Sequence, residues 1–141
     1  MLKVNDETFK KEVLDYEGPV LVKFGANWCG PCKLMDEIMN DSITFEEEAI
    51  EDGNDPSVVS EFKFVSVDVE ESVEIPPSYA VRGIPTTLVL YKGKVVGKPL
   101  IGLMQAGQFK EHLLLWSKRI QELKEIKEEE IDSEIDVDDE D

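Results

Sequence analysis

A chain of 141 residues is long enough for one hydrophobic core and too short for two. Its formal charge of −17 excludes a phosphate backbone or an anionic membrane as partner, because both are bound by clustered Lys and Arg. No run approaches the roughly 18 apolar residues of a membrane helix, and the amino-terminal stretch lacks the apolar core of a secretory leader.

In chain order, Leu2 to Val4 reads as a weak first strand. Asn5 or Asp6 caps a helix through Phe9, Val13 and Leu14, which share a face, and Gly18-Pro19 ends it. Val20 to Phe24 is the short apolar run of a buried strand, interrupted by Lys23. Cys29 to Met39 reads as a second helix with Leu34, Met35, Ile38 and Met39 as its apolar stripe. Thr44 to Glu47 is a capping box opening a stretch through Ile50, and Asp52-Gly53-Asn54-Asp55-Pro56 is a turn signal. Phe62 to Val69 alternates at period two and reads as a strand. Pro76-Pro77 opens a short helix toward Val81, since proline is tolerated in a first helical turn.

Thr86 to Tyr91 and Val95 to Ile101, joined by Lys92-Gly93-Lys94, make a hairpin, and Gln108 to Leu123 is the last helix. Its stripe of Leu113, Trp116, Ile120 and Leu123 faces the core in the plainer reading and a coiled-coil partner in the other. Residues 121–141 hold 12 acidic residues against 2 Lys, so most of the negative charge is a tail. The expected organisation is a folded domain over 1–118, an extension of the last helix over 119–127 and an acidic, disordered tail over 128–141. Helical crossovers plus a hairpin predict an α/β fold with mixed parallel and antiparallel pairing.

Trp28-Cys29-Gly30-Pro31-Cys32 lies between a buried strand and the start of a helix. Unpaired amides and the helix dipole stabilise negative charge there, so Cys29 is expected to be the attacking thiolate and Cys32, one turn further in, the resolving thiol. Two cysteines so spaced are also half of many zinc sites, but no further cysteine exists and the single histidine, His112, stands alone in the last helix. Two cysteines are too few for a structural disulfide framework, so a reducing, cytoplasmic compartment is expected.

These residues give the chain a resemblance to the thioredoxin family, whose active-site motif matches Trp28-Cys29-Gly30-Pro31-Cys32 and whose second signature matches Arg82-Gly83-Ile84-Pro85-Thr86. Phe24, Ala26, Asp68, Gly93 and Gly102 match as well, and the likeness covers roughly residues 1–118. It implies a thioredoxin fold, with a central mixed four- to five-stranded sheet flanked by helices, and a protein-disulfide reductase cycling between dithiol and disulfide. No cofactor is implied beyond the cysteine pair, and no metal. Protein disulfides and a thioredoxin reductase are the implied partners of a monomer. Trp28, Gly30, Pro31, Ile84, Pro85, Ile101 and Gly102 would form the docking surface, with a cis peptide bond at Pro85.

Against the family pattern, Gly25 stands where an aromatic is usual, Glu37 where a proline kinks the helix, and Lys23 where an aspartate is buried beneath the cysteines. Phe64 stands in place of that aspartate's lysine partner, and the stretch from Cys32 to Phe64 is about ten residues longer than usual. Lys23 then either accepts the proton of Cys32, acts as a fixed positive charge beside it, or lies along the core with its ammonium in water. The rival functional class is an interaction module on the same scaffold, with little redox role.

Overall fold

Strand β2, Pro19–Gly25, is buried at every position and forms the centre of a five-stranded sheet. The computed structural model describes residues 1–41 and 62–140. Parallel pairing joins β2 to β3 (Lys63–Asp68) and β3 to β1 (Leu2–Val4). Antiparallel pairing joins β2 to β4 (Thr86–Tyr91) and β4 to β5 (Lys94–Ile101), giving the order β1-β3-β2-β4-β5. The sheet is mixed, as crossovers followed by a hairpin require.

Because side chains alternate along a strand, β2 feeds a core on each face. Val20, Val22 and Phe24 pack with Phe9, Val13, Val65, Val67 and Leu90 on one side. Leu21 packs on the other with Met35 and Met39 of helix α1 (Gly30–Asn40) and with Phe109, Leu113, Trp116 and Ile120 of the last helix. Each such side chain taken fully out of water is worth about 1.5–3 kcal/mol. The stripe of the last helix thus faces the core, while Leu34, assigned to the α1 stripe from the sequence, is exposed. Spacing alone could not separate Leu34 from its neighbour Met35, which points into the sheet.

The first helical segment is a π-helical turn, Lys10–Leu14. Neither candidate cap serves this segment directly, whose N-cap is Phe9; Asn5 closes the turn that leads into it, accepting from the main-chain N–H groups of Glu7 and Thr8 at 2.9 and 3.0 Å. Asp6 instead reaches across the fold and accepts from the amides of Val73, Glu74 and Ile75 at 3.0 to 3.2 Å. It thereby caps the short helix α2, Ile75–Ser78. The hairpin is one residue tighter than the sequence reading, with Tyr91 facing Lys94 across a two-residue turn. Lys92 and Gly93 both take positive φ, 52° and 81°, the geometry that matches the twist of the flanking strands.

The predicted capping box at Thr44 and the turn at Asp52 to Pro56 lie outside the described residues. The last helix, α3, spans Ala106–Glu140 and so includes the stretch read as an unfolded acidic tail. Whether that stretch contributes to the domain is decided by truncation. Deletion of residues 128–141 is expected to leave Tm within about 2 °C of the full chain, and a larger fall would show that the stretch supports the domain.

Lys63 donates to the Glu12 carboxylate at 2.7 Å, and this hydrogen bond, reinforced by the ammonium charge, holds the Glu12 carboxyl below its ordinary value of 4.5. A carboxyl lowered in the folded state stabilises fully above its unfolded value and loses that contribution as pH falls through the folded one. Glu12→Gln should therefore lower the urea midpoint slightly near neutral pH, and the difference should shrink as pH falls below 4.5 and through the lowered folded-state value.

Candidate active site

Four residues separate the end of β2 from the start of α1, and within that short connection lies the Trp-Cys motif. Cys29 is the N-cap of α1, in extended conformation (φ −85°, ψ 107°), and its sulfur accepts from the main-chain N–H of Cys32 at 3.2 Å. Pro31 sits in the first turn, where its missing N–H costs nothing. The two cysteines form a disulfide with their Cα atoms 5.2 Å apart, inside the ordinary range. Both are buried, and Ala26, Val69 and Ile84 pack against them. The sulfur at the N-cap therefore lies at the positive end of the helix, while Cys32 lies a turn deeper against the sheet.

The structure gathers the other sequence-predicted site residues unevenly. Trp28 and Ile101 are 68% and 78% exposed, and Gly30 and Pro31 are exposed beside them. Ile84 and Gly102 are half-buried, and Pro85 is buried behind a cis Ile84–Pro85 bond. The Pro85 carbonyl accepts from the N–H of Gly102 at 2.8 Å, which ties the proline loop to the end of β5. The His112 ring lies 5.9 Å from the Trp116 ring, centroid to centroid. Among the described residues no group of three or more His, Cys, Asp or Glu is placed to hold a metal ion.

Lys23 is only 4% exposed, and its ammonium forms an ion pair with the Asp36 carboxylate. The lysine stem therefore does not carry its charge freely to water. The only sequence signal for Asp36 is that it follows Cys32 by four residues and so shares its helix face. The Glu70 carboxylate accepts from the Trp28 indole N–H at 2.5 Å. Forty-two residues separate that pair, and no local spacing signals it.

Lys23, Cys32 and Asp36 line one side of a cleft of about 220 Å³ that also touches Gly25 and Asp68. Gly25 matters here through space rather than φ. A Cβ at that position would stand 3.1 Å from the Cys32 sulfur and 3.3 Å from Lys23 Cε. The bare backbone lets the lysine stem and the resolving sulfur occupy the same small volume.

Comparison with known proteins matches residues 1–114 to the family model described as Thioredoxin. The chain is 38% identical over 113 residues to a protein named Thioredoxin from Rickettsia felis, covering 80% of this chain and 91% of that one. It is 37% identical over 106 residues to Thioredoxin from Acidithiobacillus ferridurans, covering 75% and 87%. Thioredoxin M2, chloroplastic, from Arabidopsis thaliana is 36% identical over 91 residues, covering 64% and 42%.

The close approach at Gly25 has a measurable cost when it is lost. Gly25→Val forces a branched side chain between Cys32 and Lys23 and should lower unfolding free energy by about 1–3 kcal/mol in urea titration. Unchanged stability would mean that the cleft accommodates the added atoms.

Proposed function

The chain belongs to the thioredoxin family and is a thiol-disulfide oxidoreductase, and from that premise we propose that a thioredoxin reductase supplies its electrons and that the docking residues above receive both partners. The observation that carries the reading is the Cys29–Cys32 disulfide closed across the first turn of a helix, with the outer sulfur at the N-cap.

In the dithiol form, the Cys29 thiolate is favoured by the amide of Cys32 and by the helix dipole. It attacks one sulfur of a substrate disulfide, forming a mixed disulfide and releasing the first substrate thiolate. Cys32 then attacks the Cys29 sulfur, re-forming the intramolecular disulfide and releasing the second thiolate. Two electrons pass to the substrate, and the reductase returns two to the protein.

Trp28 and Ile101 offer exposed apolar surface, and the main chain of Ile84, which packs against the cysteines, offers an edge for an extended substrate segment. A dithiol that must be kept reduced suits the cytoplasm, and the cycle needs only one copy of the chain. No helix among the described residues is long and apolar enough to cross a membrane.

The experiment is insulin reduction driven by NADPH and a thioredoxin reductase. The wild type should turn over, Cys29→Ser should be inactive, and Cys32→Ser should accumulate a mixed disulfide through Cys29. Faster alkylation of Cys32 than of Cys29 in the reduced wild type would reverse the assigned roles.

A further inference from the structure

Among the described residues, Lys23 is the one charged side chain in the buried interior. Its Cε and the Cys32 sulfur both lie within 3.3 Å of one point, the position of a Cβ on Gly25. They cannot be further apart than the sum of those two short distances. The lysine ammonium at the end of that stem is paired with Asp36, whose side chain is 38% exposed and opens onto the cleft.

The other charged groups lining the cleft come from three elements. They are Lys3 of β1, Lys33 of α1, and Asp68 and Glu71 at and beyond the end of β3. The Asp68 carboxylate is engaged by the amide of Glu70 at 2.8 Å, and Lys3, Lys33 and Glu71 are exposed. Of the three carboxylates, Asp36 alone holds the buried lysine and shares a helix face with Cys32.

We infer that the Lys23 ammonium exchanges counter-ions during the resolving step. It holds the Asp36 carboxylate while Cys32 is in the disulfide, and it holds the Cys32 thiolate when that sulfur attacks. The proton moves the opposite way: Cys32 S–H loses it and the Asp36 carboxylate gains it. The thiolate forms a bond to the Cys29 sulfur, the bond from Cys29 to the substrate sulfur breaks, and its electron pair leaves on the substrate thiolate. The protonated Asp36 then gives its proton to that thiolate or to water in the cleft and re-forms the ion pair.

Up to the attack one positive and one negative group are present, so the proton transfer creates no net charge in the interior, where it is most costly, and release of the Asp36 proton as the substrate thiolate departs restores the pair. Lys23 and Asp36 are positioning residues here, acting through the protonation of Cys32. This inference rests on the dithiol cycle proposed above, but it is tested without a substrate.

In a Cys29→Ser background Cys32 is the sole cysteine of the chain, and its ultraviolet thiolate absorbance reports its titration directly. Lys23→Met removes the cation and leaves a carboxylate nearby, so the thiol midpoint should rise by about one pH unit or more. Asp36→Asn leaves the ammonium without its counter-ion, so the midpoint should fall by a similar amount. The combined Lys23→Met and Asp36→Asn variant should return toward the parent value.

A packing role would not move the midpoint in opposite directions. Asp36→Asn is nearly isosteric at a half-exposed position, so it carries the test even where Lys23→Met folds poorly. Midpoints that stay put, or that move in the same direction, overturn the exchange. A wild type that reduces no protein disulfide would instead count against the cycle.

Discussion

A lysine in the middle of a strand covered on both faces has to be neutralised where it stands, and much of the site's geometry is arranged around that requirement. Leaving such a charge unpaired would cost several kcal/mol, far more than an exposed ion pair is worth. The partner comes from α1, so the ion pair also fixes how that helix sits on β2. Gly25 contributes by having no side chain, because the stem of Lys23 and the sulfur of Cys32 need the same space. The arrangement is asymmetric: both side chains line the cleft, but that of Asp36 is 38% exposed and that of Lys23 only 6%, and loss of Lys23 therefore strands a charge that water can still reach.

The fold was legible in the sequence wherever a pattern repeats. Alternation in Phe62 to Val69, the apolar run before Gly25 and the helical stripe from Leu113 to Leu123 each identified an element whose core residues the structure buries. Edges were less legible, because a strand end is set by pairing rather than composition. Lys94 joins β5 since it faces Tyr91 across the turn, a register that its charge does not announce. Choices between neighbours were also hidden. Asn5 and Asp6 are equally good caps by type, and only the path of the chain brings Val73 to Ile75 within reach of Asp6.

The site divides the same way. Cys29 and Cys32 were readable because the chemistry is local: a helix start, a spacing of three and no competing ligands. The residues packed around them are not local. Glu70 reaches Trp28 from 42 residues further along the chain, and Asp36 acquires its meaning only when α1 is laid against β2. The lysine at 23 was conspicuous as an oddity in a buried strand, yet its partner could be found only in three dimensions.

The two sulfurs are thus supported by different physics. Cys29 sits at an N-cap, where fixed amides and the helix dipole favour its anion without any other group changing charge. Cys32 is buried more deeply, at the inner end of that first turn, and a thiolate there gains from a counter-ion of its own. A permanently unpaired cation would supply one, but it would also hold Cys32 as an anion when Cys29 must be the nucleophile. A cation already occupied by Asp36 avoids that competition. Its positive charge becomes available to Cys32 only when a proton moves, which lets one helix present its two sulfurs in sequence rather than at once.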